Sequence, residues 1–94
     1  MAEVTVKVFA SLRERMGWKE RNVNTEGTRI VDVLKGLPGG EGTLYEMLVD
    51  PKSGDLTSRY NIMLNGRNAT SLEGLDTTIH DGDRILIFPP VGGG

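Results

Sequence analysis

Arg84-Ile85-Leu86-Ile87-Phe88-Pro89-Pro90-Val91-Gly92-Gly93-Gly94 ends the sequence. Its first five residues are rich in branched and aromatic side chains, the make-up of a strand. Pro89-Pro90 stops that strand, because proline offers no N–H to a ladder and holds its own backbone stiff. Glycine follows three times, a run without a single Cβ. If Ile85 and Ile87 face a core, Leu86 and Phe88 face away from it. The fold then turns on which strand lies beside this one.

The candidate neighbour is Val4-Thr5-Val6-Lys7-Val8-Phe9. It alternates with period two and puts Val4, Val6 and Val8 on one face, with Phe9 on the other. Ser11 to Gly17 reads as a helical turn stopped by glycine, with Leu12 and Met16 four apart. Lys19 to Thr25 is a polar strand suited to an edge, paired back on the first. Thr28 offers an N-cap hydroxyl to a helix whose stripe is Ile30, Val33, Leu34 and Leu37. Gly36 and Pro38-Gly39-Gly40 end it. Thr43 and Glu46 have capping-box spacing and open a short helix with Leu44, Met47 and Leu48 inward. Asp50 to Asp55 is a loop.

Tyr60 to Leu64 is a third strand, with Ile62 and Leu64 inward and Met63 outward. Asn65-Gly66 predicts a tight hairpin into a short return strand from Arg67 to Thr70. Ser71 to Asp83 reads mostly as loop, with Leu72 and Leu75 tucked in and Asp81-Gly82-Asp83 as a turn. The fold class is α+β: a mixed sheet of four to five strands packed on one main helix plus a short helix. A right-handed crossover that brings the last strand beside the first gives the β-grasp arrangement. Residues 1–90 form that domain and residues 91–94 a flexible glycine-rich tail.

Composition removes several classes of function. The chain has 94 residues, enough for one domain, and no cysteine. That excludes disulfides, a cysteine nucleophile and thiolate metal sites. The single histidine, His80, cannot supply a multi-histidine metal site. Eleven basic and thirteen acidic residues, a net charge of −2, argue against a generic nucleic-acid or anionic-membrane surface. No apolar run is long enough to span a bilayer and no basic leader precedes the first strand, so the expected location is the cytoplasm. No bound cofactor, no metal and no catalytic residue is expected, and the free protein is expected to be a monomer.

Other motifs reduce to local structure. Gly39-Gly40-Glu41-Gly42 lacks the Lys-Ser/Thr of a phosphate loop. Asp76, Asp81 and Asp83 with His80 do not follow calcium-loop spacing and read as turn chemistry, with His80 on a surface loop. Arg13, Arg15, Lys19 and Arg21 are interrupted by Glu14, Glu20 and Glu26, the pattern of a solvated face that could also meet an acidic partner. Lys7, Lys19, Lys35 and Lys52 are candidate self-conjugation sites among which the sequence does not choose.

The tail is the feature that carries chemistry. Four residues from Val91 to Gly94 span at most ~14 Å extended, thin enough to thread a narrow channel and present a carboxylate in another protein's site. Phe9, Met63, Leu86 and Phe88, all outward by parity, predict an apolar patch beside the root of that tail. Together with Pro89, Pro90 and Val91 they are the expected partner-binding residues.

Three stretches bear a family likeness: Val8-Phe9-Ala10-Ser11-Leu12-Arg13-Glu14; Leu64-Asn65-Gly66 with Asp81-Gly82-Asp83; and above all Ile87 to Gly94, close to Phe-Pro-Pro-Val-x-Gly-Gly. On these the chain resembles the ubiquitin-like sulfur carriers of the MoaD/ThiS type, including the small subunit of molybdopterin synthase and archaeal relatives that also modify proteins. The residue before the final pair is Gly92, where the best-known members carry something larger. The resemblance implies that an adenylating, ubiquitin-activating-like enzyme uses ATP to activate the Gly94 carboxylate, with Gly92 and Gly93 as the thin approach. Sulfur then displaces AMP and leaves a thiocarboxylate, which serves the large subunit of molybdopterin synthase. The same activated Gly94 could instead be joined to lysines of target proteins. A reading from another class also stands: a β-grasp binding module whose tail is inert.

Overall fold

The computed structural model of the chain describes residues 2–39 and 42–89. Strand β1 (Ala2–Val8) leads into helix α1 (Ser11–Met16), and β2 (Glu20–Thr25) returns antiparallel beside β1. Helix α2 (Ile30–Lys35) and the shorter α3 (Leu44–Leu48) follow. The chain re-enters the sheet with β3 (Asn61–Leu64), turns into the two-residue β4 (Arg67–Asn68), and passes two 3-10 turns before β5 (Arg84–Phe88). The sheet order is β2-β1-β5-β3-β4, with β5 parallel to β1 and antiparallel to β3. Two antiparallel hairpins thus flank a central parallel pair, crossed by helix: this is a β-grasp fold.

Burial follows the alternation of the strands. Val4, Val6, Ile85 and Ile87 are 0% exposed and meet Ile30, Val33 and Leu34 of α2 and Leu44 and Leu48 of α3. Ile62 and Leu64 complete the inner face of the sheet. A core of branched and γ-branched residues in one layer suits a chain that can bury only about two-thirds of its unfolded surface.

Several local expectations are realised. Asn65 and Gly66 both have positive φ, 51° and 85°, the two left-handed residues a tight hairpin needs. Thr43 Oγ1 accepts from Glu46 N–H at 3.3 Å, and Glu46 Oε1 accepts from Thr43 N–H at 3.1 Å. Leu75 is buried and Leu72 partly so.

Four details differ. The cap of α2 is not the Thr28 hydroxyl: Asp32 reaches back, and its Oδ2 accepts from the N–H groups of Thr28 and Arg29, both at 3.1 Å. Gly27 makes room, since a Cβ there would collide with Asp32. The helix closes at Lys35, so Leu37 is buried from the segment beyond it. The return strand stops at Asn68, because the Asn68 side chain accepts from Thr70 N–H at 3.0 Å and starts the 3-10 turn Ala69–Ser71. Met47 packs at the margin of the core, partly exposed.

Candidate functional site

The face of the sheet that α2 does not cover takes its character from strand parity. On β1 the outward residues are Glu3, Thr5 and Lys7, with Phe9 one step past the strand. On β5 they are Arg84, Leu86 and Phe88, and on β3 Asn61 and Met63, so the apolar residues gather at one end of the face. Register sets Lys7, Leu86 and Met63 in one row, bounded by Glu20 on β2 and Asn68 on β4. In the next row Phe88 pairs with Asn61, and Phe9 stands on its other side, its N–H donating to the Ile87 carbonyl at 3.1 Å.

The two rings stack, with centroids 4.4 Å apart and planes 10° from parallel. The Arg13 guanidinium lies 5.7 Å from the Phe9 centroid, and its Nε donates to the Val8 carbonyl at 3.3 Å. Phe9, Met63, Leu86 and Phe88 are all partly exposed, and none belongs to the buried core or packs on it. Aromatic and methionine side chains standing clear of the core on a flat face are the residues that interfaces favour.

Local sequence explains why the patch sits at one end of the sheet. Ala10 has φ 53° and ψ −131°, and Leu12 N–H closes a turn on the Phe9 carbonyl at 3.1 Å. The chain therefore leaves the sheet directly after Phe9 and climbs into α1. Because β1 and β5 are parallel, Phe88 reaches the same pole. There Pro89 lines a shallow groove of about 540 Å³ with Leu56, Arg59, Tyr60, Asn61 and Asn68.

Of the residues expected from sequence to bind a partner, Phe9, Met63, Leu86, Phe88 and Pro89 are thus gathered at and beside one pole. Pro90 and Val91, with Gly92, Gly93 and Gly94, the residue expected from sequence to react, lie outside the described residues. Residues not anticipated are Arg13 over the Phe9 ring and, from Arg15, a hydrogen bond of 3.0 Å to the Tyr60 hydroxyl. The first depends on a turn that Ala10 does not announce, and the second joins residues 45 apart in sequence, so neither left a spacing signal.

The acidic residues near His80 hold the chain's own backbone. Asp81 Oδ1 accepts from Glu3 N–H at 2.8 Å, and Asp83 accepts from His80 N–H at 2.7 Å and from Asn65 Nδ2 at 2.8 Å. Among the described residues no group of three or more His, Asp or Glu could hold a metal ion. Nor, among them, is any helix long and apolar enough to cross a membrane.

The ThiS family model matches residues 6–94. The chain belongs to the ThiS family. It is 34% identical over 94 residues to small archaeal modifier protein 3 of Haloferax volcanii, covering 98% of this chain and 99% of that one. It is 35% identical over 92 residues to the sulfur carrier protein CysO of Mycobacterium tuberculosis, covering 97% and 98%. The solution structure of small archaeal modifier protein 1 from Methanosarcina acetivorans is similar at 40% identity and a TM-score of 0.71, covering 100% of this chain and 98% of that one. This chain therefore belongs to the ubiquitin-like sulfur carrier and modifier family, with its open sheet face and Phe9–Phe88 plate beside the strand that leads to the tail.

Proposed function

We propose that this chain carries sulfur on its C-terminal carboxylate. A carboxylate oxygen of Gly94 attacks the α-phosphorus of ATP on an activating enzyme, releasing pyrophosphate and forming an acyl-adenylate. A hydrosulfide equivalent then attacks the carbonyl carbon, AMP leaves with the bonding pair, and a thiocarboxylate remains. The observation that supports this reading is the placement of β5. It is a central strand, and its last residue, Phe88, forms half of the outward aromatic plate. A partner seated on the open face by Phe9, Met63, Leu86 and Phe88 is held at the root of the tail and can take Gly94 into its own site. The chain supplies the substrate group and the grip; ATP and the catalytic residues belong to the partner, in the cytoplasm where ATP is at hand.

The acceptor we propose is a pterin precursor on the large subunit of molybdopterin synthase, with this chain as the small subunit. A second reading, conjugation of Gly94 to lysines of target proteins, draws support from the full-length likeness to an archaeal modifier protein. Both begin with the same activated carboxylate. The test is intact mass after incubation with ATP, hydrosulfide and the adenylating enzyme encoded in the same genome. A gain equal to oxygen replaced by sulfur, mapped to Gly94 and dependent on ATP, is the expected result. No gain with an enzyme active on another carrier would leave a β-grasp binding module with an inert tail.

A further inference from the structure

A second groove, of about 510 Å³, runs beside the first and shares Arg59 and Tyr60 with it. Arg15 from α1 and Lys52 and Arg59 from the segment between α3 and β3 bring three cations to its walls, against Glu46 and Asp50. The two carboxylates already serve the chain. Glu46 Oε1 accepts from the N–H and hydroxyl of Thr43, and Asp50 Oδ1 accepts from Lys52 N–H at 2.8 Å. None of the three cations pairs with a carboxylate among the described residues. Arg15 is steadied by the Tyr60 hydroxyl, which leaves other guanidinium N–H groups pointing to solvent. In a chain of net charge −2 this local excess of positive charge comes from placement, not composition.

We infer that this groove seats an acidic segment of the same protein partner that takes the tail. The inference rests on the function proposed above and adds the chemistry by which the partner is selected. The three cations come from two separate stretches of chain, and Met47, Val49 and Pro51 supply apolar wall between them. A single small anion needs donors that converge on one point, whereas carboxylates spaced along an extended segment match charges spread around a partly apolar groove. Continuity with the groove lined by Pro89 places that segment against the root of the tail. The outward plate would then give adhesion, and the groove rate and choice of partner, since complementary charge acts mainly on encounter and specificity.

The test compares Arg59→Glu with Arg67→Glu, the same charge change on exposed β4 beyond the hairpin. Dissociation constants for the adenylating enzyme are measured at low and high salt, beside thiocarboxylate formation. Arg59→Glu should weaken binding about tenfold at low salt, with the difference shrinking as salt rises, and Arg67→Glu should stay within about twofold. In parallel, a synthetic hexaglutamate peptide titrated into ¹⁵N-labelled protein should move the amides of Arg15, Lys52, Thr57, Arg59 and Tyr60. Equal effects of the two variants, a salt-independent loss, or the same amide shifts with inorganic phosphate and none with the peptide would overturn the inference. Wild type that forms the thiocarboxylate while Arg59→Glu matches it in affinity sinks the groove alone. An active enzyme that ignores wild type removes the function reading and this inference with it.

Discussion

Phe9 and Phe88 face each other across the parallel pair β1–β5 with ring centroids 4.4 Å apart. Neighbouring strands lie ~4.8 Å apart, so the two rings rise side by side from adjacent backbones and stack at close to the spacing of the sheet itself. The last residues in register, Val8 and Ile87, are both buried, and the ladder runs one bond further through Phe9 N–H. The plate is thus rigid because the core beneath it is rigid. The inner faces cover each other and Arg13 lies over Phe9, but the ring edges stand toward a partner at little cost in ordering, which is what makes aromatic side chains effective anchors.

Phe88→Ala should separate docking from folding. Loss of the stack is worth about 1 kcal/mol, which lowers Tm by roughly 4–8 °C in a domain of this size. Loss of a central aromatic anchor is worth about 2 kcal/mol of binding, close to a thirtyfold rise in Kd for the activating enzyme. Calorimetry and a binding titration on the same preparation check both. A large fall in Tm with unchanged affinity would place the partner elsewhere.

Leu86 and Ile87 are adjacent in β5 and should behave oppositely. Ile87 is 0% exposed, while Leu86 is partly exposed on the open face. Ile87→Ala leaves a cavity and should cost about 2–5 kcal/mol, a Tm fall of at least ~8 °C. Leu86→Ala should stay within about 1 kcal/mol of wild type in urea unfolding, yet weaken partner binding.

This pair marks how far the sequence could be read. Alternation in β1 and β5, the Asn65-Gly66 turn and the Thr43/Glu46 box are local signals, and local physics decided them. The cap of α2 was not legible in the same way, since Thr28 and Asp32 can both serve, and the choice falls to Asp32 because Gly27 clears its path. Asp55 is harder still. Its Oδ1 accepts from Leu56 N–H at 2.7 Å and from Leu75 N–H at 3.0 Å, joining a loop to a turn 20 residues away. The outward patch was legible because parity alone defines it. The cationic groove was not, because it is assembled by packing α1 against the distant stretch from α3 to β3.

Ala10 carries a backbone conformation suited to another residue. At φ 53° and ψ −131° it occupies the first central position of a II′-like turn, where glycine is favoured. Its Cβ strains that position by about 1–3 kcal/mol. Ala10→Gly should therefore raise stability by about 1 kcal/mol, seen as a higher urea midpoint at unchanged m, after the added unfolded-state entropy of glycine is set against the relief. Should the midpoint fall instead, the turn is held without strain.

Removal of Gly93 and Gly94 tests whether the tail is chemistry or structure. Among the described residues, all the buried apolar ones lie between Val4 and Ile87, and the last pair in the sheet is at Phe88. Two glycines beyond Pro89 add no side chain to that core, so deletion should leave Tm within about 2 °C, as for surface changes generally. It should abolish the ATP-dependent gain of sulfur, because the residue that then ends the chain is Gly92. From there the carboxylate falls short of its former position by two residues, ~7 Å of extended backbone. An activating enzyme that positions the reacting carbon to within an ångström cannot bridge that gap, although docking through Phe9 and Phe88 persists. The deleted chain should therefore bind the enzyme with near wild-type affinity and compete with the intact carrier as an inhibitor. Undiminished sulfur transfer by the deleted chain would show that Gly94 is not the reacting residue.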